Sequence, residues 1–217
     1  MASDGSVVAL RKRAVIAAGA FDRRLVVDSA RLVCGHDASG RTCWIPADVV
    51  WTDAETARQP ENPWSVGLEM GRTREAAMVG GLSDRLGWEA NEARLRGRSL
   101  PVLDNDSDRL GSTTVFDGRL DHDVPTVVLT NGSVVRWGAG ATFDSALQRA
   151  LFGHRSVVPT PSEMTLIAAM LASQGIEVVA VDLGTPLLRR NGLVRSSVHL
   201  AIASHVGGRP WDGAPVK

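Results

Sequence analysis

The order of apolar and polar positions predicts short strands that alternate with three helices. The strongest helical pattern lies in Gly67–Gly97, where a turn bounded by glycines precedes Thr73, the expected helix start. Its apolar residues recur at or near multiples of four positions and predict one core-facing stripe. They are Met78, Leu82, Leu86 and Leu95.

Three glycines interrupt this helical pattern, at Gly80, Gly81 and Gly87. A glycine inside a helix costs about 1 kcal/mol relative to alanine, because it loses more backbone freedom on folding. We therefore expect another element to pack closely against the helix there. Two interpretations of the helix stay open: a buried core helix with an acidic exposed edge, or the remnant of a nucleotide site.

Alternating or compact apolar runs predict the strands, and stretches rich in turn-forming residues predict the connections between them. The hairpin signals are Asp37–Gly40 and Asn131–Gly132, each between two such runs. The predicted strands are Arg24–Cys34, Thr42–Pro46, Ser99–Leu103, Ser112–Phe116, Pro125–Thr130, Val134–Trp137 and Ile176–Leu183. The other predicted helices lie within Gly138–Arg155 and Pro161–Gln174. This pattern predicts an α/β (α+β) fold, with a mixed β-sheet and packed helices.

Composition places the chain among ordinary soluble globular proteins. Its 217 residues are 44% hydrophobic and 22% charged, and the formal net charge is zero. A neutral chain has no electrostatic footprint for nucleic acid or an anionic membrane. No apolar run reaches the roughly 18–20 residues that span a bilayer. Basic residues follow the first short apolar run, the wrong order for a secretory signal, so we expect a cytoplasmic protein.

The cysteine and acidic motifs do not predict a metal site. Cys34 and Cys43 flank a turn and are expected to be buried free thiols, since a disulfide is disfavoured in the cytosol. Together with His36 they offer three metal ligands, but the sequence provides no obvious fourth ligand. The acidic stretch Asp104–Arg109 lacks the glycine and the bidentate glutamate of a calcium loop and is expected to be a solvated loop.

The long helical segment resembles the central segment of a known enzyme family. Gly71–Asp84 has the form G-x-T-R-E-A-A-x-x-x-G-L-x-D, which is similar to the corresponding segment of the YcaO family. Members of that family are ATP-dependent cyclodehydratases and thioamide-forming enzymes. They modify peptide backbones, largely in the biosynthesis of ribosomal natural products such as bacteriocins and thiopeptides.

Three further segments resemble the family in the same order along the chain. Trp44, Pro46 and Ala47 are similar to the end of a family hairpin, and Ala146–Leu151 is similar to part of its second active-site helix. Ile176–Leu183 and Leu193–Ala201 resemble the family's C-terminal strands. The likeness covers most of Leu25–Ala201 and implies the C-terminal half of a YcaO domain. It implies a single domain over residues 1–217, with an N-terminal extension at 1–21 and a flexible tail at 207–217.

The resemblance also places the family's magnesium and ATP ligands on this sequence. Of the side chains at these positions, only that of Asp84 retains a carboxylate. Since Mg²⁺ prefers oxygen ligands, the resemblance implies a degenerate site with no catalytic, cofactor-binding or metal-binding residue. His154, near the second helix, is expected to be an ordinary helix-end histidine. The degenerate nucleotide-site positions are Arg72, Ala76, Asp84, Gly87, Trp88, Gly153 and Ser156.

The function that the resemblance implies is a non-catalytic scaffold or partner subunit of a peptide-modifying complex. Family members are about twice this length, and the resemblance implies that their N-terminal part, which carries further ligands, is missing from this sequence. We expect no cofactor, and a homo- or hetero-oligomer with a modification enzyme or a precursor peptide. Trp88 is expected either to fill the emptied cleft or anchor a partner, or to be simply a core residue. The alternatives are a split half-enzyme that binds Mg-ATP with a partner chain, using Asp84, Glu75 and Glu89, and a peptide-binding regulator.

Overall fold

The helices and strands follow the predicted order closely. The computed structural model describes residues 14–15, 32–46, 50, 66–103, 113–154 and 157–202. Their strands are β1 (Ala14–Val15), β2 (Leu32–Asp37), β3 (Thr42–Pro46), β4 (Leu68–Gly71), β5 (Thr114–Asp117), β6 (Thr126–Thr130), β7 (Val135–Ala139), β8 (Ile176–Asp182) and β9 (Val194–Ile202). Their helices are α1 (Arg74–Leu95), α2 (Phe143–Phe152), α3 (Pro161–Ser173) and α4 (Pro186–Arg190).

The chain divides into two compact units. The first comprises Met1–Trp64, Gly175–Val181 and His199–Lys217, and the second comprises Ser65–Gln174 and Asp182–Val198. In the first unit β1 pairs in parallel with β3, whereas the β2–β3 and β2–β8 pairs are antiparallel. This mixed sheet agrees with the predicted fold class. The single-domain organisation stays a prediction.

The second unit packs helices against antiparallel strands. β5, β6 and β7 form a three-stranded antiparallel sheet, and β4 pairs with β9. One side of the three-stranded sheet packs on α2 and the other on α1. The α2 side buries Val127 and Leu129 with Ala146 and Ala150, and the α1 side buries Val128 with Ala90. The alternation of β6 therefore supplies both packed layers.

The start of α1 is confirmed at the predicted residue. Thr73 is the N-cap, and its hydroxyl accepts a hydrogen bond from the Ala76 amide at 3.1 Å. Of the predicted stripe, Met78, Leu82 and Leu86 are buried, but Leu95 is 64% exposed. That part of the prediction was wrong, because Leu95 follows Leu86 by nine positions, about two and a half turns, and therefore lies on the opposite side of the helix.

The thiols are both free, but only one of them is buried. Cys34 lies opposite Trp44 and Cys43 lies opposite Gly35, so the two thiols point to opposite faces of the β2–β3 pair. Cys43 is buried and Cys34 is exposed, which corrects the expectation of two buried thiols. Burial, and next the charge of Asp37, raise the pKa of the Cys43 thiol to about 12.

Three short elements escaped the sequence prediction. β1 has two residues and β4 has four, too few for an alternating pattern to be recognised, and α4 has five residues behind its N-cap Thr185. The predicted strand at Ser99–Leu103 is reduced to a single bridge between Val102 and Phe116. The acidic loop, nearly all of the N-terminal extension, and the tail lie outside the described residues. No described helix combines the length and the apolar character that crossing a bilayer requires.

Candidate functional site

Asp84 lies where three parts of the second unit meet. It projects from the middle of α1, and both of its carboxylate oxygens accept hydrogen bonds. Oδ2 accepts from the backbone amide of Gly67 at 3.0 Å, and Oδ1 accepts from the indole Nε1–H of Trp137 at 3.0 Å. Nε2 of His154, just beyond the end of α2, lies 3.6 Å from Oδ1. One carboxylate thus joins the turn before β4, the strand β7 and the end of α2.

The surroundings keep Asp84 ionised. Its side chain is 19% exposed, and burial alone would raise its pKa. The approach of His154 and the hydrogen bonds from Trp137 and Gly67 outweigh burial, so the pKa of Asp84 lies below its usual value. The carboxylate is therefore a fixed negative charge near neutral pH.

Ser83 fixes the other side of the His154 ring. Its hydroxyl oxygen accepts from the Ala139 amide at 2.7 Å and lies 3.0 Å from Nδ1 of His154. Ser83 therefore contacts Nδ1 of the same imidazole ring whose Nε2 faces Asp84. Ser83 is 1% exposed, so the Asp–His–Ser series positions side chains and presents no nucleophile to solvent.

A cavity of about 390 Å³ opens beside this carboxylate. Its polar lining includes Arg136, which donates to the Leu151 carbonyl at 2.8 Å, and the buried Arg149. Arg149 forms a bidentate pair with Glu163, at 2.7 and 2.9 Å, and also donates to the Ala139 carbonyl. The full lining is Asp84, Val135, Arg136, Trp137, Arg149, Ala150, Leu151, Phe152, Gly153 and His154.

Trp137 packs directly on the third helical glycine. A Cβ atom on Gly87 would lie 2.4 Å from Cδ1 of the Trp137 ring. A Cβ atom on Gly81 would lie 2.5 Å from the Gly67 carbonyl oxygen. The close approach expected at these two glycines is therefore observed. The indole occupies the space that any larger side chain at position 87 needs.

The structure brings together only part of the sequence-predicted set. Asp84 and Gly153 line the cavity, and Gly87 contacts Trp137 beside it. Arg72 is exposed in the turn after β4, and Ala76 lies one turn into α1 and does not line the cavity. Ser156 lies outside the described residues.

Trp88 is neither fully buried nor part of the cavity lining. The guanidinium of Arg85 lies over its ring, 5.7 Å from the centroid. The residue that packs on Gly87 beside the cavity is Trp137, and the role of Trp88 stays a prediction. Sequence reasoning missed Trp137 and Ser83 as site residues, since nothing local to either residue marks a contact with a distant helix. The sequence pattern predicts His154 only as a histidine at a helix end.

Replacing Gly87 by alanine is expected to lower the free energy of unfolding by about 1–2 kcal/mol. The new methyl group overlaps the Trp137 ring, which outweighs the higher helix propensity of alanine. Urea denaturation measures the change. Gly80→Ala is the comparison variant in the same helix, because its Cβ would lie 2.6 Å from one atom, Cγ of Glu69, whereas that of Gly87→Ala would lie within 2.7 Å of three atoms of Trp137. A Gly87→Ala protein at least as stable as the control would contradict this packing.

No family model and no curated protein matches the sequence. Among solved structures, the chain is similar to YcaO from Methanopyrus kandleri bound with AMPPCP and Mg²⁺, with 16% identity and a TM-score of 0.58, over 89% of this chain and 71% of that one. It is also similar to a heterocyclase in complex with substrate and cofactor, with 13% identity and a TM-score of 0.54. That match covers 78% of this chain and 32% of the heterocyclase, so the chain spans about a third of that protein.

A weaker likeness, with a TM-score of 0.48 and 13% identity, links it to the E. coli microcin synthetase McbBCD complex, over 79% of this chain and 64% of that one. Over its matched residues, the chain has the fold of the YcaO proteins.

Proposed function

We propose that this chain is a non-catalytic subunit with a YcaO fold that serves a peptide-modifying complex in ribosomal natural-product biosynthesis. The observation that carries the proposal is the hydrogen bonding of Asp84, which is the one carboxylate retained among the expected nucleotide-site positions. Both of its oxygens accept hydrogen bonds from the protein itself. The residue holds the fold together at the place where a nucleotide enzyme needs a free ligand.

The side chains that line the described cavity support the proposal that the chain alone does not bind magnesium and a triphosphate. Mg²⁺ takes oxygen ligands in near-octahedral geometry, usually from one or two carboxylates and phosphate oxygens. Asp84 is the only carboxylate in the lining, and no described group of three or more His, Cys, Asp or Glu side chains is placed to hold a metal ion. Arg149, a candidate phosphate ligand by charge, is neutralised by its bidentate pair with Glu163.

Exposed apolar side chains support a role within a complex. Phe152 is 74% exposed at the rim of the cavity, Val158 is 86% exposed, and Leu187 on α4 is 67% exposed. Aromatic and aliphatic side chains at the surface are favoured in protein interfaces. The partners we propose are a modification enzyme, a precursor peptide or a second copy of the chain.

A split half-enzyme is the second candidate, and one observation favours it. Asp84 keeps 19% of its side chain exposed and faces the cavity, so a partner chain has access to it. In that case the partner must supply the remaining ligands. The two candidates differ in whether Asp84 takes part in nucleotide turnover.

Calorimetric titration with Mg-AMPPCP separates the candidates. We expect no binding heat from the isolated chain at millimolar nucleotide. The cavity lining holds one carboxylate, that of Asp84, and its Arg149 is already paired with Glu163. The same titration and an ATP-turnover assay are repeated with the cognate modification enzyme present. Turnover that requires this chain and is lost in Asp84→Asn, but not in Asp144→Asn, which removes an exposed carboxylate in the first turn of α2, would support the half-enzyme. Saturable nucleotide binding by the isolated chain would overturn the proposal.

A further inference from the structure

The connection between β5 and β6 alternates between exposed and inward side chains. Leu120 packs against the cluster that joins Ala90 of α1 to Val128 of β6. The exposed members are Arg119, Asp121 and Asp123, and the half-buried or buried members are Leu120, His122 and Val124. His122 thus occupies a position at which this alternation predicts an apolar side chain.

The imidazole of His122 is buried without a hydrogen bond. The residue is 7% exposed, and neither Nδ1 nor Nε2 has a hydrogen-bond partner among the described residues. Buried polar groups are normally hydrogen-bonded, so this ring carries a cost that an apolar side chain at the same place would avoid. Unlike an apolar side chain, however, an imidazole can take up a proton near neutral pH.

The carboxylates whose charges reach His122 are already paired with arginines. They come from α1, from the end of β5 and from the connection itself, and an imidazolium would find no unpaired carboxylate among the three. Burial lowers the pKa of His122, and the charges of Glu89 and Asp121 offset burial only in part. The three pairs are Glu89–Arg85 at 2.7 Å, Asp117–Arg119 at 3.0 Å and Asp121–Arg98 at 3.1 Å.

The polar contacts of the outward side chains hold the connection only weakly. Arg98 pairs with Asp121, and the side-chain amide of Gln174 donates to Asp123 at 3.2 Å. Both contacts are exposed to solvent, and exposed contacts of this kind contribute little to stability. The closed position of the connection therefore depends on its inward side chains, of which only His122 titrates.

We propose that His122 makes the β5–β6 connection, Gly118–Val124, an acid-sensitive latch. While the imidazole is neutral, the connection stays packed over the cluster that contains Ala90 and Val128. When the imidazole takes up a proton, the ring leaves its buried position and the connection opens, whereas β6 stays paired with its neighbours. This inference goes beyond the proposed function, because opening requires neither a nucleotide nor a partner chain.

The sign of the pH dependence follows from the lowered pKa. In the open connection the ring is solvated and has an ordinary histidine pKa of 6.5, whereas in the closed connection its pKa is lower. The closed form is therefore fully favoured above pH 6.5 and loses stability as the pH falls from there toward the lowered pKa. Between these two values the opening equilibrium changes by at most about tenfold per pH unit.

The test uses methyl NMR of the full chain at about pH 7.5 and about pH 5.5. Relaxation dispersion at the methyl groups of Leu120 and Val124 measures the open population, which we expect to be several-fold larger at the lower pH. The methyl groups of Val127 and Leu129 in β6 should show no such change. A titration of the His122 ring signals in the same samples should give a pKa below 6.5.

Two variants separate the proton from the packing. His122→Gln keeps a polar side chain that does not titrate, and His122→Leu supplies the apolar side chain that the alternation predicts. We expect both to abolish the pH dependence at Leu120 and Val124. His36→Gln removes a histidine of the first unit and should leave that pH dependence unchanged. Circular dichroism checks that each variant is folded.

Any of four results would overturn the inference. They are an open population that is equal at the two pH values, an equal change at Val127 and Leu129, a pH dependence that persists in His122→Gln, and a His122 pKa of 6.5 or more. The first, second and fourth come from the unchanged protein and do not depend on the folding of a variant. None of these measurements involves nucleotide, so they are independent of the Mg-AMPPCP test of the proposed function.

Discussion

Replacing Arg149 by methionine is expected to lower the free energy of unfolding by about 3–5 kcal/mol. The side chain of Arg149 is 0% exposed, and that of its partner Glu163 is 7% exposed. Removing the arginine leaves the carboxylate buried without its bidentate partner, and it also removes the donor to the Ala139 carbonyl. Urea denaturation followed by circular dichroism measures the loss.

The double variant Arg149→Met/Glu163→Met is the control for this prediction. Replacing a buried ion pair by apolar side chains of similar size is often close to neutral. We expect the double variant to recover most of the stability lost in Arg149→Met. A double variant that is less stable than both single variants would show that the pair is not the source of the effect.

The Arg149–Glu163 pair also makes the stability of the fold depend on pH. Burial would raise the pKa of Glu163, but the hydrogen bond and the charge of Arg149 outweigh burial and hold the pKa below 4.5, its ordinary value. A carboxylate with a lowered pKa in the folded state contributes stability above its unfolded pKa. That contribution is lost as the pH falls through the lowered pKa. In Arg149→Met this contribution should be absent. Urea unfolding of the unchanged protein and of Arg149→Met between about pH 6 and pH 3 measures how the free energy of unfolding of each depends on pH.

Replacing Asp84 by alanine is expected to cost about 3 kcal/mol of stability in the absence of any nucleotide. The Gly67 amide and the Trp137 indole both lose their acceptor, and unpaired buried donors cost about 1–3 kcal/mol each. Thermal and urea unfolding measure the loss. Trp137 fluorescence should also change, since the indole loses its hydrogen bond.

Two variants control for this prediction. Asp84→Asn keeps one oxygen acceptor and should lose less stability than Asp84→Ala. Glu75→Ala removes an exposed carboxylate in the first turn of the same helix, and it should change stability by less than about 1 kcal/mol. An Asp84→Ala protein as stable as Glu75→Ala would mean that the carboxylate is held for another purpose, and would favour the half-enzyme.

Much of the fold was predictable because its elements carry strong local signals. Thr73 marks the start of α1, Asn131–Gly132 marks a hairpin, and Thr42–Pro46 is a strand with the predicted bounds. These signals depend on residues close together in the chain, which sequence patterns record well. The glycines of α1 also correctly predicted close packing.

The candidate site was less predictable because its contacts join distant residues. Trp137 lies 53 positions from Asp84, and Ser83 lies 71 positions from His154. No local pattern shows that an indole packs on Gly87. Leu95 was misplaced for a different reason, since a count in fours drifts away from the 3.6-residue period over several turns. β4 and α4 were too short to produce a period at all.

The turn at Gly67 has a consequence for communication within the second unit. Its φ is +81°, its carbonyl accepts from the Val198 amide of β9, and its amide donates to Asp84, so one residue links the β4–β9 pair to the carboxylate beside the cavity. A ligand that holds Asp84 in the cavity would therefore also restrict this turn. By thermodynamic reciprocity, a change that orders the turn would raise the affinity for that ligand by the same factor.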